Sequence, residues 1–388
     1  MPNSPNPIRV RIQQPALPAY RVPVFAELAR RPGLSVEVLY SDRAKVPNVQ
    51  ALGFSARAVR ERRLLGWPRE VRWVPAQFMA VDPAHADVAV LEYNSGVPSL
   101  VPAIRKAKRR GVGVVVWGHG YSIRDTGPSR RLRNWIGRQA HAILLYHHHA
   151  REMMISEGMD PERLFVAQNA LDQAPIQTAR EHWLSRPDEL ERFRRDQGIE
   201  GARVVLFVSR LIPDNRTDLL LHAASSLMTQ VPDLVVAIVG DGQQRAELEA
   251  LAARLGIGDR VRFTGAIYGE QALAPWFLSS MVFCYPSSLG LSVLHAMGYG
   301  LPVVTSSDMS RQMPEAWAVV DGKNGLLVDL GQPASLAGAL GRVLTDEQLR
   351  ERLARGAHQT ALERYTLANM VDGYEAAVRY AKSRAKRP

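Results

Sequence analysis

Short apolar runs rich in β-branched residues recur along the whole chain, separated by segments whose apolar positions return every three to four residues. The runs predict strands at 8–14, 34–41, 71–75, 88–94, 113–119, 142–148 and 164–168. A second series follows at 204–210, 234–240, 261–265, 281–286, 302–306 and 325–329. Several, such as Gly113-Val114-Val115-Val116-Trp117, are almost wholly apolar, as strands of a parallel sheet covered on both faces are. Helical patterns lie between them at 22–30, 99–110, 129–140, 217–230, 243–256, 270–280 and 291–299. This alternation implies βαβ units and an α/β fold of doubly wound sheets.

The rhythm breaks at 174–200, which is polar and charged and carries no strand pattern. The expected organisation is a Rossmann-like domain over 1–173, a linker over 174–200 and a second Rossmann-like domain over 201–365. A C-terminal helix over 366–388, ending in the basic run from Lys382 to Arg387, can cross back to the first domain. Two such domains facing each other would form a cleft, with ligands outside the carboxyl ends of the strands.

Composition narrows the classes. Of 388 residues, 46% are hydrophobic and 22% charged, which excludes a largely disordered chain, a collagen-like fibre and a disulfide scaffold. The lone Cys284 lies inside the apolar run 281–285 and reads as a small core residue. The net charge of +11 favours an anionic partner, such as phosphate-bearing substrates or an anionic membrane face. No nucleic-acid motif is visible, so nucleic acid is not expected. The N-terminal ten residues lack the apolar core of a secretory signal, and no apolar run approaches the ~20 residues of a membrane span. The expected location is the cytoplasm, with any membrane contact peripheral, on the inner membrane face.

The second half carries the most specific pattern. After the strand ending at Pro286, the small-residue loop Ser287-Ser288-Leu289-Gly290 leads into a helix from about Leu291. Backbone amides at such a helix start suit a diphosphate. Around it stand four more segments: 204–211, ending a strand with Arg210; Ile238-Val239-Gly240-Asp241-Gly242; Val261-Arg262-Phe263-Thr264-Gly265; and Pro314-Glu315 followed by Asn324-Gly325-Leu326-Leu327-Val328.

This ordered series resembles the nucleotide-sugar domain of glycosyltransferase family 4, the retaining group with the GT-B fold, over about 201–330. The resemblance implies that Arg210 contacts the donor diphosphate and that the amides of Leu289, Gly290 and Leu291 bind its phosphates. It places the turn at Gly240 and Gly242 in the donor site, and Phe263 and Thr264 beside the base. A lysine usual five residues after the arginine is replaced by Asn215, followed by Arg216 as the candidate phosphate cation. Two glutamates usual around the phosphate loop are replaced by Ser287 and His295, the latter able to hold one ribose hydroxyl. These departures leave open a subfamily that handles the donor differently, or a non-catalytic subunit of the same fold that recruits a partner or polyanion at the membrane.

In the first half, Tyr20 and Arg21 follow the first strand, and Glu92 and Asn94 end another; all four are candidate acceptor contacts. His119, between Gly118 and Gly120 at a strand end, resembles the family histidine near the transferred sugar. His147-His148-His149 would alternate faces on an extended strand, a poor chelating geometry, and no Asp-x-Asp pair occurs. No metal site is expected, and no cofactor beyond the nucleotide-diphosphate sugar itself. Arg130, Arg131, Arg133 and Arg138 surround Leu132, Trp135 and Ile136, which reads either as a core-facing stripe with solvated arginines or as a basic helix on an anionic membrane. The implied activity is sugar transfer to a glycan or lipid-linked acceptor in surface polysaccharide synthesis.

Overall fold

The computed structural model describes residues 6–43, 46–65, 71–121 and 127–385, with the side chains of 62–65 and 333 left aside. The first five residues of the stretch weighed for a secretory signal, and Lys386 and Arg387 of the basic C-terminal run, lie outside the described residues. Contacts divide the chain into two units, 1–170 with 367–388, and 171–366.

The first unit holds β1 (Ile8–Gln14), β2 (Leu34–Ser41), β3 (Ser55–Val59), β4 (Arg62–Leu65), β5 (Val71–Trp73), β6 (Val88–Glu92), β7 (Gly113–Gly118), β8 (Ala142–Leu145) and β9 (Leu164–Val166). Seven of them form one parallel sheet in the order β3-β2-β1-β6-β7-β8-β9. The other two, β4 and β5, pair antiparallel. Alternation along β7 shows the two-sided burial: Val114 and Val116 join one core, Val115 and Trp117 the other.

The second core is closed by the helix Leu367–Arg384, whose Tyr374, Ala377, Val378 and Ala381 are fully buried on the sheet. Its approach is close enough that a Cβ on Gly113 would meet the Ala381 carbonyl at 2.7 Å. Lys382 pairs with Asp87 at 2.8 Å. Burial alone would raise the Asp87 pKa, but hydrogen bonds from Lys382 and Arg9 hold it at about 2.

The second unit has β10 (Arg203–Val208), β11 (Leu234–Val239), β12 (Val261–Gly265), β13 (Val282–Tyr285), β14 (Val303–Ser306) and β15 (Gly325–Val328). They form a parallel sheet in the order β12-β11-β10-β13-β14-β15 around a separate core. Cys284 is fully buried there, and burial pushes its thiol pKa up.

Several sequence expectations change. Residues 174–200 are not an open linker: they form helices Ala174–Leu184 and Pro187–Asp196 within the second unit. Ile176, Ala179 and Leu190 are buried, and Phe193 stacks edge-on against Trp276 at 5.1 Å. Sparse apolar positions in a charged segment hid that stripe. The strand expected over 142–148 ends at Leu145. His147 caps the helix His148–Ser156, its Nδ1 accepting the Ala150 amide at 3.1 Å. The histidine triplet therefore turns a strand–helix corner instead of running extended. Among the described residues no group of three or more His, Cys, Asp or Glu is placed to hold a metal ion, and no helix is long and apolar enough to cross a membrane.

His147 gives the fold a pH signature. It is 1% exposed, and burial, followed by the neighbouring histidines, lowers its pKa from 6.5 to about 3. The unfolded chain therefore binds the proton first, so this contribution is complete above pH 6.5 and is lost as pH falls toward 3. Protonation would cost about 2 kcal/mol at pH 5. His147→Asn keeps a capping oxygen and removes the titration. Urea unfolding at pH 7 and pH 5 is expected to show a smaller acid loss in the variant than in the wild type.

Candidate functional site

In the first unit β1 lies between β2 and β6, so the strand order reverses beside it and the outgoing loops diverge. There, at the carboxyl ends of β1, β6, β7 and β8, opens a cavity of about 660 Å³. Tyr20, Arg21, Glu92, Asn94 and His119 all line it. Glu61, Arg72, Trp117 and Tyr146 line it too; nothing in the sequence marked them as ligand contacts.

Arg21 is only 6% exposed. It ends a short turn, Ala19–Arg21, that runs into the helix Val22–Arg30. Its guanidinium lies 4.6 Å from the Trp117 ring centre, 5.2 Å from Tyr20 and 5.5 Å from Tyr146. Such desolvated cation–π contacts are worth up to about 2 kcal/mol each. On the opposite flank Arg72 bridges two carboxylates, 2.9 Å from Glu92 and 3.3 Å from Glu61. Burial lowers the Arg72 pKa, and the two acids more than reverse this. Asn94 Nδ2 donates to Glu92 Oε1 at 3.0 Å. Glu92 Oε2 and the Trp117 indole N–H are buried with no partner among the described residues.

His119 meets solvent at the cavity rim, its ring 4.8 Å from that of Tyr146. Desolvation, then the charges of Arg21 and Arg133, lower its pKa to about 4. At neutral pH it offers one donor and one acceptor, without charge. The flanking glycines serve packing more than exposure: a Cβ on Gly118 would meet Tyr93 Cβ at 2.9 Å, and one on Gly120 would meet Leu145 at 2.7 Å.

In the second unit β10 lies between β11 and β13, which makes the loops after β10 and β13 the diverging pair. Arg210 follows β10 and is exposed, and its guanidinium forms no hydrogen bond or ion pair among the described residues. Its loop is held from beneath. Asn215, 2% exposed, donates to the Arg210 carbonyl at 2.6 Å and the Ser209 hydroxyl at 3.3 Å. Tyr285, at the end of β13, donates to the same hydroxyl at 2.9 Å. Asn215, standing where the family has lysine, is thus a buried clasp.

Gly240 and Gly242 act on that same loop. A Cβ on Gly240 would sit 1.8 Å from the Ser209 carbonyl oxygen, and one on Gly242 2.4 Å from that of Leu211. Their smallness lets the turn after β11 seat the Arg210 loop, so internal packing explains them before any ligand contact. Phe263 and Thr264 end β12; the Phe263 carbonyl accepts from Arg245 at 3.3 Å and the Thr264 hydroxyl donates to Gly265 at 2.9 Å. Asn324 is structural, its amide donating to Ala318 at 2.8 Å and Thr360 at 2.9 Å.

Three expected donor contacts are already engaged within the protein. The Leu289 amide donates to the buried Gln312 side chain at 2.7 Å. Arg216 forks onto Asp218, with Nε–Oδ1 3.0 Å and Nη2–Oδ2 2.9 Å. His295 Nε2 lies 2.8 and 2.9 Å from the two oxygens of Glu270, which also accepts from Tyr299. Burial raises the Glu270 pKa, but these partners bring it below the ordinary value. Glu270 was unmarked in the sequence because it arrives from a different helix, Glu270–Leu278.

What stays open is narrower than expected. The amides of Gly290 and Leu291 donate to no backbone acceptor among the described residues. A Cβ added to Gly290 would meet nothing within 4 Å. The helix that follows, Ser292–Gly298, is only seven residues long, so the loop amides matter more than its dipole. Ser287 is buried, its amide 3.4 Å from the Asn215 carbonyl. Arg216 and Ser288, with φ of 53° and 60°, are the non-glycine residues in the left-handed region among the described residues. Such strain gathers at ligand sites, and these two flank the loops after β10 and β13.

The basic helix of the first unit splits its expected stripe. Ile136 is buried, while Leu132 and Trp135 are 47% and 41% exposed.

Comparison with known proteins adds the family. Residues 189–360 match the family described as glycosyl transferases group 1. The lipopolysaccharide core biosynthesis glycosyltransferase LpsE of Rhizobium meliloti (strain 1021) is 32% identical over 176 residues, 45% of this chain and 48% of that protein. The GDP-mannose-dependent alpha-(1-6)-phosphatidylinositol monomannoside mannosyltransferase of Mycolicibacterium smegmatis is 27% identical over 291 residues, 72% of this chain and 73% of the relative. The match with LpsE thus spans about half of that relative's length. The crystal structure of Anabaena Alr3699/HepE in complex with UDP superposes with a TM-score of 0.71 at 18% identity, covering 95% of this chain and 99% of that one. That likeness bears out the GT-B fold. The recognition made from the five segments is supported: all five fall within the residues 189–360 that match this family.

Proposed function

We propose that the chain is a retaining glycosyltransferase that moves a sugar from a nucleotide-diphosphate donor to a hydroxyl of a glycan or lipid-linked acceptor. The observation that carries this is the exposed Arg210 guanidinium on a clasped loop at the strand-order reversal, with the amides of Gly290 and Leu291 without backbone acceptors on the neighbouring loop. HepE, which shares the fold, holds UDP in its crystal structure. In the reaction the bond from the sugar's anomeric carbon to the diphosphate breaks. A bond to the acceptor oxygen forms on the same face, and the acceptor proton leaves with the diphosphate. Arg210 and the loop amides stabilise the charge that builds on the leaving group. Neutral His119 hydrogen-bonds the sugar, and the cavity of the first unit takes the acceptor.

LpsE is named for lipopolysaccharide core biosynthesis and the mycobacterial relative for a phosphatidylinositol monomannoside, which supports an acceptor in surface glycan synthesis. Exposed Leu132 and Trp135 beside Arg131 support peripheral contact with an anionic membrane. Replacing both apolar residues with serine is expected to lower co-sedimentation with phosphatidylglycerol vesicles; unchanged pelleting removes this contact.

A competing reading, a non-catalytic binding subunit, is favoured by the engaged Leu289 amide, Arg216 and His295. Calorimetric titration with UDP, GDP, dTDP and ADP, followed by assay of nucleoside diphosphate release from the matching sugar nucleotide, separates the two. The transferase reading expects selective binding and donor-dependent release. Binding without release in the presence of lipid and glycan acceptors would leave the subunit reading.

Arg210→Ala is expected to lower turnover at least ~10-fold with little change in melting temperature, because the exposed guanidinium forms no hydrogen bond or ion pair among the described residues. Two glycines give a sharper contrast. Gly240→Ala forces a methyl group onto the Ser209 carbonyl, so stability is expected to fall by about 2 kcal/mol or more. Gly290→Ala has open space, so stability is expected to hold within about 0.5 kcal/mol while nucleotide affinity drops. Wild-type affinity in Gly290→Ala would show that the loop does not approach the diphosphate.

A further inference from the structure

The donor site proposed in the second unit accounts for the phosphates and leaves open what holds the other end of a nucleotide. Three turns at the carboxyl ends of β10, β11 and β12 are knit side by side by backbone bonds. The Leu211 amide donates to the Asp241 carbonyl at 2.9 Å, and the Gly240 amide to the Gly265 carbonyl at 2.9 Å. Together they make one floor two strand spacings wide, roughly 9.5 Å. In its middle Gly240 and Gly242 offer no side chain. At one end stands the exposed Arg210 guanidinium.

At the other end stands Tyr268. The turn after β12 reverses at Gly265 and Gly269, whose φ values of 77° and 87° lie in the left-handed region. Between them Ile267 packs on the core of the unit. Its neighbour Tyr268 is 87% exposed, the most exposed large apolar side chain among the described residues. Among those residues it makes no hydrogen bond or ring contact. The opposite direction from Arg210 is closed. There the buried Gln312, from the segment after β14, is bound to the Leu289 amide at 2.7 Å and to the Thr305 hydroxyl at 2.8 Å.

We propose that Tyr268 holds the donor nucleotide by stacking its ring on the face of the base. The inference rests on the donor site of the second unit. In a nucleoside diphosphate the base lies a ribose and one phosphate away from the terminal phosphate. A diphosphate held by Arg210 and by the amides of Gly290 and Leu291 therefore lays the nucleoside across the glycine floor, toward Tyr268. Every base has a π-face, so such a contact adds affinity without reading the base's hydrogen-bonding edge. The ring carries the contact, and the tyrosine hydroxyl is not needed for it.

The test titrates the full chain with UDP, GDP, dTDP and ADP, and with inorganic pyrophosphate, which has no base. Tyr268→Ala is expected to weaken the nucleoside diphosphate that binds best about tenfold and to leave pyrophosphate affinity unchanged. Tyr268→Phe keeps the ring and is expected to keep wild-type affinity. A second measurement needs no variant. Tetranitromethane nitrates exposed tyrosines, and peptide mapping follows Tyr268. The saturating nucleoside diphosphate is expected to protect it, and pyrophosphate is not.

Wild-type affinity in Tyr268→Ala overturns the inference. So does an equal loss of pyrophosphate affinity, which would place the effect on the loop and not on the base. A loss in Tyr268→Phe as large as that in Tyr268→Ala, or nitration that no nucleoside diphosphate slows, overturns it too. The nitration result decides even if a variant fails to fold. Arg210→Ala, titrated alongside, reports on the donor reading separately. Nucleotide binding that depends on Arg210 and not on Tyr268 sinks this inference alone, whereas a wild-type chain that binds none of the four nucleotides sinks both.

Discussion

A parallel sheet buried on both faces can release its loops only at its ends, and where the strand order turns back, neighbouring loops leave in opposite directions. That constraint acts once in each unit, beside β1 and beside β10. Everything chemically distinctive follows from these two places. Arg21 comes from the loop after β1 and Arg210 from the loop after β10. The residues opposite them, Glu92 and Gly290, leave β6 and β13. The apolar strands supply the rigidity that lets short loops hold charged groups in fixed positions, because Val204–Phe207 and Val88–Leu91 have almost no freedom to shift in a packed core.

Legibility in the sequence followed the physics of each feature. Continuous β-branched runs marked nearly every strand of the two large sheets, since burial on both faces leaves no room for polar alternation. Weaker elements escaped. The strand Ser55–Val59 is largely exposed, and helices Ala174–Leu184 and Pro187–Asp196 each bury only one or two residues, so neither carried a strong periodic signal. In the first unit the five residues singled out from strand ends all reached one cavity. Strand ends are local, and the sheet brings them together. Glu61 and Arg72 were invisible because their roles depend on a pairing between segments that no spacing records.

The second unit shows why motif position alone is insufficient. A residue matched to a ligand-binding position still competes with partners from other elements. His295 is met by Glu270, Arg216 by Asp218 and the Leu289 amide by Gln312. Each of these partners lies outside the motif or serves it only through the fold. Gly240 and Gly242 belong to the motif for a further reason: backbone-to-backbone contact with the Arg210 loop excludes any side chain. Among the described residues the groups that this internal network leaves unengaged are the Arg210 guanidinium and the amides of Gly290 and Leu291.

The two units therefore place their unfavourable energy differently. In the second, most polar groups near the strand-order reversal find protein partners, and the visible cost is backbone strain at Arg216 and Ser288. In the first, the cost is polar burial. Around Arg21 lie the Tyr374 hydroxyl and the Trp117 indole N–H, both without a partner among the described residues, their rings 4.8 Å apart. Tyr374 belongs to the helix Leu367–Arg384, whose Met370 sulfur stands 4.0 Å from the Arg21 guanidinium. The last helix thus backs two residues of the cavity wall, Arg21 and Trp117, as well as covering the sheet. Its apolar residues supply the burial that offsets these orphaned groups. Neither polar atom adds to the apolar packing, and each costs about 1–3 kcal/mol while it stays without a partner.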